Sequence, residues 1–320
     1  MKTQTTNSNF HLLKNISFHK KGVNSISLFP SGNIISVSDD QYIFIYDINF
    51  TILQEIENAH DGWIFYVNVK NENNFITCSY DKSIKFWEKN EQKNFILKEE
   101  INNAHNKWIY KVLYHPNGNL ISCSHDKTIK IWEKEKNNKH ICVTILKVSN
   151  ILYSFLLLEN KNLLIGCGED EIIIWNLNNY EFIIKIEDAG CCKWNALNKL
   201  DNDRIIVGGI YNLMKVIDMN KKKVIKEIDN KFCCYGICVI ENKGIFLTGG
   251  WSHNIKVYRS DDYQFIQTLE KAHVAWIRGI VELNNNIIAS FSDDGNINFG
   301  FYKFIFLVII IKIVLCFVFI

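Results

Sequence analysis

The chain has 320 residues, of which 48% are hydrophobic and 22% charged, enough apolar content to bury a core and too much for a disordered protein. Thirty-six basic residues against 34 acidic ones leave a formal net charge of +2, so no global field draws in nucleic acid. The only prolines, Pro30 and Pro116, offer no proline-rich linker, and the polar stretch Met1–Phe10 lacks the apolar run of an export signal. The ten cysteines are then expected as reduced thiols of a cytoplasmic protein, not as a disulfide scaffold.

Taken in chain order, residues 1–9 read as a disordered N-terminus, and Phe10 to Ile16 as a strand. A first unit runs from His19 through the turn Pro30-Ser31-Gly32-Asn33 to Ser38, Asp40 and an apolar strand ending at Tyr46. The second carries His60, Ser79, Asp81 and the string Ile84-Lys85-Phe86-Trp87, then a strand from Phe95 to Ile101. The third repeats it with His105, the turn Pro116-Asn117-Gly118-Asn119, Ser124, Asp126 and Ile129-Lys130-Ile131-Trp132. The fourth keeps Ile172-Ile173-Ile174-Trp175 but has no His, with Cys167 and Glu169 at the Ser and Asp positions, or Asp170 if the turn is one residue shorter. The fifth has Gly190 where the His belongs and ends at Ile217, and the sixth has Gly250 and Ser252 and ends at Tyr258. The seventh restores His273, Ser292 and Asp294, then runs Ile297-Asn298-Phe299 into Gly300, where an aromatic is due. Period-2 alternation, β-branched and aromatic enrichment, and turn residues every eight to twelve positions predict four short antiparallel strands per unit.

With its recurring His, Ser, Asp and Trp, the chain resembles the WD40 repeat family. The resemblance implies an all-β fold: a seven-bladed WD40 β-propeller over residues 10–300, closed by an N-terminal strand at 10–16 in the last blade. It also implies a buried hydrogen-bond network of His19, Ser38, Asp40 and Tyr46; His60, Ser79, Asp81 and Trp87; His105, Ser124, Asp126 and Trp132; and His273, Ser292 and Asp294. The network is expected to be missing from units four to six, leaving those blades softer.

Ser, His and Asp recurring four times around a ring mark structure, because an active site does not repeat. No phosphate-binding loop, nucleophile elbow or zinc-protease motif is present, so neither enzymatic activity nor a cofactor is expected. Cys191-Cys192 and Cys233-Cys234 stand one repeat apart. Adjacent strand residues face opposite ways, so packing is expected of them and a metal is not. The basic runs around Lys134 and Lys221 are broken or followed by acidic residues, which argues against nucleic-acid binding.

Trp63, Trp108 and Trp276 each follow a repeat His by three residues, and Trp194 lies near the same position in unit five. The resemblance places these on the face that receives partners, with Arg278 beside them. A protein or peptide partner is therefore expected, for a monomeric propeller working within a complex; packing between blades is the competing role for the rings. Residues 301–320 form an apolar tail with Lys303 and Lys312 as its only charges. It reads three ways: a C-terminal membrane anchor, an added strand on the last unit, or translated non-coding sequence foreign to the protein. The anchor reading gives one alternative role, a membrane-tethered adaptor; the family resemblance implies another, a substrate receptor of a ubiquitin ligase or a subunit of an assembly machine.

Overall fold

The computed structural model describes residues 10–302 except 138, 170, 190–194 and 284–286. The stretch 1–9, Trp194, Cys191, Cys192, Gly190 and Asp170 lie outside the described residues, as does the tail from residue 303 on, with the anchor and strand readings attached to it. Among the described residues no helix is long and apolar enough to cross a membrane.

Seven four-stranded antiparallel sheets follow one another along the chain. Their innermost strands are Val23–Leu28, Ile64–Asn71, Ile109–Tyr114, Leu152–Leu158, Leu197–Lys199, Cys234–Ile240 and Ile277–Glu282, and they define blades 1 to 7. In blades 1 to 6 the second, third and outer strands follow in sequence. In blade 7 the outer strand is Phe10–Ile16, antiparallel to Ile297–Tyr302 with Ile16 opposite Ile297 and Leu12 opposite Gly300. The fold is a seven-bladed β-propeller whose two chain ends share one sheet, which leaves Ile297–Tyr302 with no bare edge.

Burial follows position in the blade. Second strands such as Ile34–Ser38 and Leu120–Ser124 are buried along their whole length, because neighbouring blades cover both faces. Outer strands such as His140–Lys147 alternate between half-buried and exposed. The apolar clusters therefore lie between blades. One joins Ile35, Val37 and Ile45 of blade 1 to Phe75, Trp87 and Phe95 of blade 2; another joins Ile76, Cys78 and Ile84 of blade 2 to Val112, Leu120 and Trp132 of blade 3.

At the axis the inner strands of blades 6 and 7 meet at two glycines: a Cβ on Gly236 would stand 2.6 Å from Gly279 Cα. Asn195, just before the inner strand of blade 5, sends its amide to the carbonyls of Asn24 and Arg278, 3.2 Å each. Blades 5, 7 and 1 are thereby tied together across the axis.

Candidate functional site

The end of the propeller where each outer strand leads into the next blade is built on a repeated polar unit. In blade 3, His105 Nδ1 lies 3.1 Å from Asp126 and Nε2 lies 2.8 Å from Ser122 Oγ, which accepts the indole N–H of Trp132 at 2.9 Å. Blade 2 repeats this with His60, Asp81, Thr77 and Trp87. Blade 1 has His19, Asp40 and Ser36, and blade 7 has His273, Asp294 and Ser290. The Asp carboxylate also accepts from two backbone N–H groups in each case, for example those of Asn106 and Thr128 on Asp126. The turn it caps passes through a left-handed residue, Gln41, Lys82, Lys127 or Gly295.

The hydroxyl that meets the imidazole stands two residues before the expected one. Ser36, Thr77, Ser122 and Ser290 take that place, not Ser38, Ser79, Ser124 and Ser292. Both sets point to the same side of their strand, because side chains two apart share a face. The later set sits at the strand end, where each hydroxyl accepts the backbone N–H of the Asp, at 3.1 Å for Ser38, Ser79 and Ser124 and 3.2 Å for Ser292. Tyr46 fills the indole position in blade 1 with its hydroxyl buried, and burial pushes that phenol far up.

Burial holds the His60 and His105 imidazoles below the ordinary histidine value, outweighing the pull of Asp81 and Asp126. Burial alone would raise the Asp81 and Asp126 carboxyls; the hydrogen bonds they accept, led by those of His60 and His105, bring both well below the usual carboxylate range. The rings are thus neutral beside ionised carboxylates. Each donates Nδ1–H to the Asp and accepts the hydroxyl proton at Nε2.

Blades 4 and 6 replace this unit with others. In blade 6 the buried Asn230 amide oxygen accepts from Thr248 Oγ1 at 3.1 Å and from the Tyr258 hydroxyl at 2.9 Å. In blade 4 the buried Glu171 carboxylate pairs with Lys185 at 2.8 Å and accepts from Ser149. Strand register puts Gly166 opposite Ile173 as Ser122 is opposite Lys130, so Cys167 corresponds to Cys123, one step short of the Ser position expected for it. Only blade 5 lacks the unit without a described substitute: Val207 and Ile217 occupy its hydroxyl and indole positions by register. The recurring Lys of the Ile-Lys-x-Trp strings has a role that sequence reasoning missed. Lys85 and Lys130 donate to the carbonyls of Ala59 and Ala104, and Lys215 and Lys256 do the same to Asp188 and Asn230.

The same end carries two aromatic groups. In blades 2 to 4, Trp63 is 46% and Tyr80 45% exposed. Tyr80 stacks on half-buried Trp108 at 5.0 Å, and Trp108 lies 4.0 Å from the His125 ring. Phe65, Tyr110 and Tyr153 continue the row on the inner strands. Burial, with Lys107 nearby, lowers the His125 value, and burial pushes the Tyr110 phenol up to about 12; the phenol keeps its proton and shares a hydrogen bond of 3.0 Å with Nδ1 of His125. In blades 6 and 7, Trp251 (48% exposed) stacks on Trp276 (41% exposed) at 5.3 Å, with Tyr235 edge-on beneath both.

Tyr80, His125 and Trp251 were not anticipated from the sequence. Each directly follows the second strand, where its N–H reaches the carbonyl of Trp63, Trp108 or Cys233, the residue just before the inner strand. The 45-residue step from Tyr80 to His125 was the available signal. Arg278, expected beside the Trp anchors as a partner contact, is engaged within the ring. Its guanidinium pairs with Asp39 of blade 1 at 2.9 Å and with Asp293 of blade 7, and donates to Asn24. It is a clasp between the first and last blades. Burial raises the Asp293 carboxyl despite Arg278. Among the described residues no group of His, Cys, Asp and Glu is placed to hold a metal.

Fold and repeated polar unit together define a seven-bladed β-propeller with a recurring His–hydroxyl–Asp unit. Residues 10–47, 51–88 and 98–133 match the WD40 family, described as WD domain, G-beta repeat, so the chain is a seven-bladed β-propeller that carries three matched WD40 repeats. Each match starts in or just ahead of an outer strand and ends in or just past the third strand of the next blade, so the sequence repeat is offset from the blade. The chain is also similar to Lissencephaly-1 homolog 1 of Paramecium tetraurelia, 39% identical over 74 residues, which are 22% of this chain and 18% of that protein.

Proposed function

We propose that the protein is a non-catalytic interaction platform that captures a protein or peptide partner on the aromatic end of the propeller. The observation that carries this reading is the concentration of large, two-fifths or more exposed rings there: Trp63, Tyr80, Trp251 and Trp276. Stacked rings already ordered against one another lose little entropy on binding, and buried aromatics dominate interface energies. Arg278 is no longer among the anchors, because its charge is spent on Asp39 and Asp293. Trp108 serves as the packed centre of its row.

The test compares proteins co-purified with the wild type, with Trp63→Ala/Tyr80→Ala, with Trp251→Ala/Trp276→Ala, and with Leu53→Ala/Phe182→Ala on exposed outer strands. The reading expects the same partners to be lost from at least one aromatic pair and kept by the outer-strand control, with unfolding temperatures near wild type throughout. Partners retained by both aromatic pairs would overturn the site.

A further inference from the structure

The position that holds Trp132 in blade 3 is filled in six blades by a side chain at most 5% exposed: Tyr46, Trp87, Trp132, Trp175, Ile217 and Tyr258. Register fixes the equivalence, since Trp132 pairs with Leu120 as Gly300 pairs with Ile288. In blade 7 that position is Gly300, which has no side chain to send toward blade 6. A cleft of about 400 Å³ lies between blades 6 and 7, lined by Leu12, the strand partner of Gly300, and its volume is within the ~300–1,000 Å³ range of small-ligand sites. Ile255 and Leu269 of blade 6 and Leu12 of the closing strand give it apolar walls, and His273, Ser290 and Asn298 give it a polar side.

The polar side has the form of an indole receptor. In blades 2 and 3 the hydroxyl bonded to His Nε2 also accepts an indole N–H, at 2.9 Å from Trp87 to Thr77 and from Trp132 to Ser122. In blade 7 the corresponding hydroxyl, Ser290, is bonded to His273 Nε2 at 2.9 Å, and no described side chain supplies the second donor. In blades 2 and 3 the equivalent hydroxyl makes both contacts at once, and Ser290 stands on the cleft wall with that second position facing the space the indole fills elsewhere. We infer that the cleft between blades 6 and 7 binds an indole ring, seated against the paired Ile255 and Leu269 with its N–H on Ser290 Oγ. The ring restores by binding what the other blades build by covalent sequence. The cleft shares no residue with the exposed rings Trp63, Tyr80, Trp251 and Trp276, and the two sites stand or fall independently.

The ring could be a free heterocycle or the side chain of a peptide tryptophan, and the test separates them. The full chain is titrated with indole, with benzothiophene, which has the same shape and no N–H, and with N-acetyltryptophanamide. Affinities come from calorimetry, and unfolding temperature is followed in parallel. Indole is expected to raise the unfolding temperature by about 2 °C at tenfold excess over its Kd, and benzothiophene to bind about fivefold more weakly for want of the hydrogen bond. Gly300→Trp should abolish the indole response, and Ser290→Ala should erase the preference for indole over benzothiophene. Tighter binding of N-acetyltryptophanamide than of indole assigns the site to a peptide tryptophan; the reverse assigns it to a free heterocycle. Absence of any response in the wild type overturns the proposal, as does an indole response that persists in Gly300→Trp. Should Gly300→Trp fail to fold, an indole preference unchanged in Ser290→Ala overturns it.

Discussion

At the scale of single residues, two hydroxyls on the same strand face do different work, and their loss should cost different amounts. Thr77 is buried and bonds both His60 and Trp87, so Thr77→Val leaves two buried polar groups unpaired and should destabilise by about 3 kcal/mol. Ser79 caps a turn, and Ser79→Ala should cost about 1 kcal/mol. Urea unfolding of the two variants checks the order; equal losses would contradict the assignment. The histidines make a second prediction. His60 and His105 lie below the ordinary value of 6.5 because burial disfavours their charged form. The unfolded chain takes up protons from about pH 6.5 downward while the folded chain does not, so stability is complete above that pH and falls below it. The carboxylates act later: Asp294, whose burial penalty is more than offset by His273, is held at about 2 against an ordinary 3.8, so its contribution is lost as pH falls from about 4 toward 2. Unfolding temperatures at pH 7.5, 5.5 and 3.5 should step downward, and an unchanged value between the first two would refute the neutral-ring reading. The His-to-Asp pairing was legible in the sequence because both residues sit at fixed points of a turn. The hydroxyl was not, because a period of two cannot say which of two same-face residues lies deeper.

At the scale of strands and blades, closure depends on two devices. The Phe10–Ile16 strand hydrogen-bonds to Ile297–Tyr302, and Arg278 clasps Asp39 to Asp293. Arg278→Ala leaves two facing carboxylates without their cation and should destabilise by about 3 kcal/mol, read as a lower urea midpoint. Arg278→Ala combined with Asp293→Asn should recover part of the loss, and no recovery would show that packing, not charge, dominates the clasp. The closing strand was legible because its pattern repeats that of the strands before His60 and His105. The clasp was not, since Arg278, Asp39 and Asp293 are far apart in the chain and meet only when the ring closes. Among the described residues, blades 4 to 6 lack the His–hydroxyl–Asp network as expected, but in blades 4 and 6 other polar groups take its place, and blade 5 alone has no described substitute. Asn230 precedes the position at which the repeat carries its His, and a search confined to the His position passes over it.

For the whole molecule, stability should vary around the ring. Blade 5 has a three-residue inner strand, Leu197–Lys199, a four-residue second strand, Arg204–Val207, and no described polar unit at its turn. Native-state hydrogen exchange should give amides of Arg204–Val207 about tenfold less protection than those of Leu120–Ser124, since one net hydrogen bond of about 1 kcal/mol or slightly more separates them. Uniform protection would mean that the ring opens only as one unit.

The sequence by itself determined the number of blades, the strand pattern within each, the closing strand and the His–Asp pairs. These follow from periodicity and spacing, which are local and repeat along the chain. Tertiary structure decided which hydroxyl meets each imidazole, that Arg278 faces inward, that Trp251 stacks on Trp276, and that a cleft lies between blades 6 and 7 beside the strand partner of Gly300. Each of these depends on what the neighbouring blade presents across an interface, and no repeat of about 42 residues carries information about the unit packed beside it.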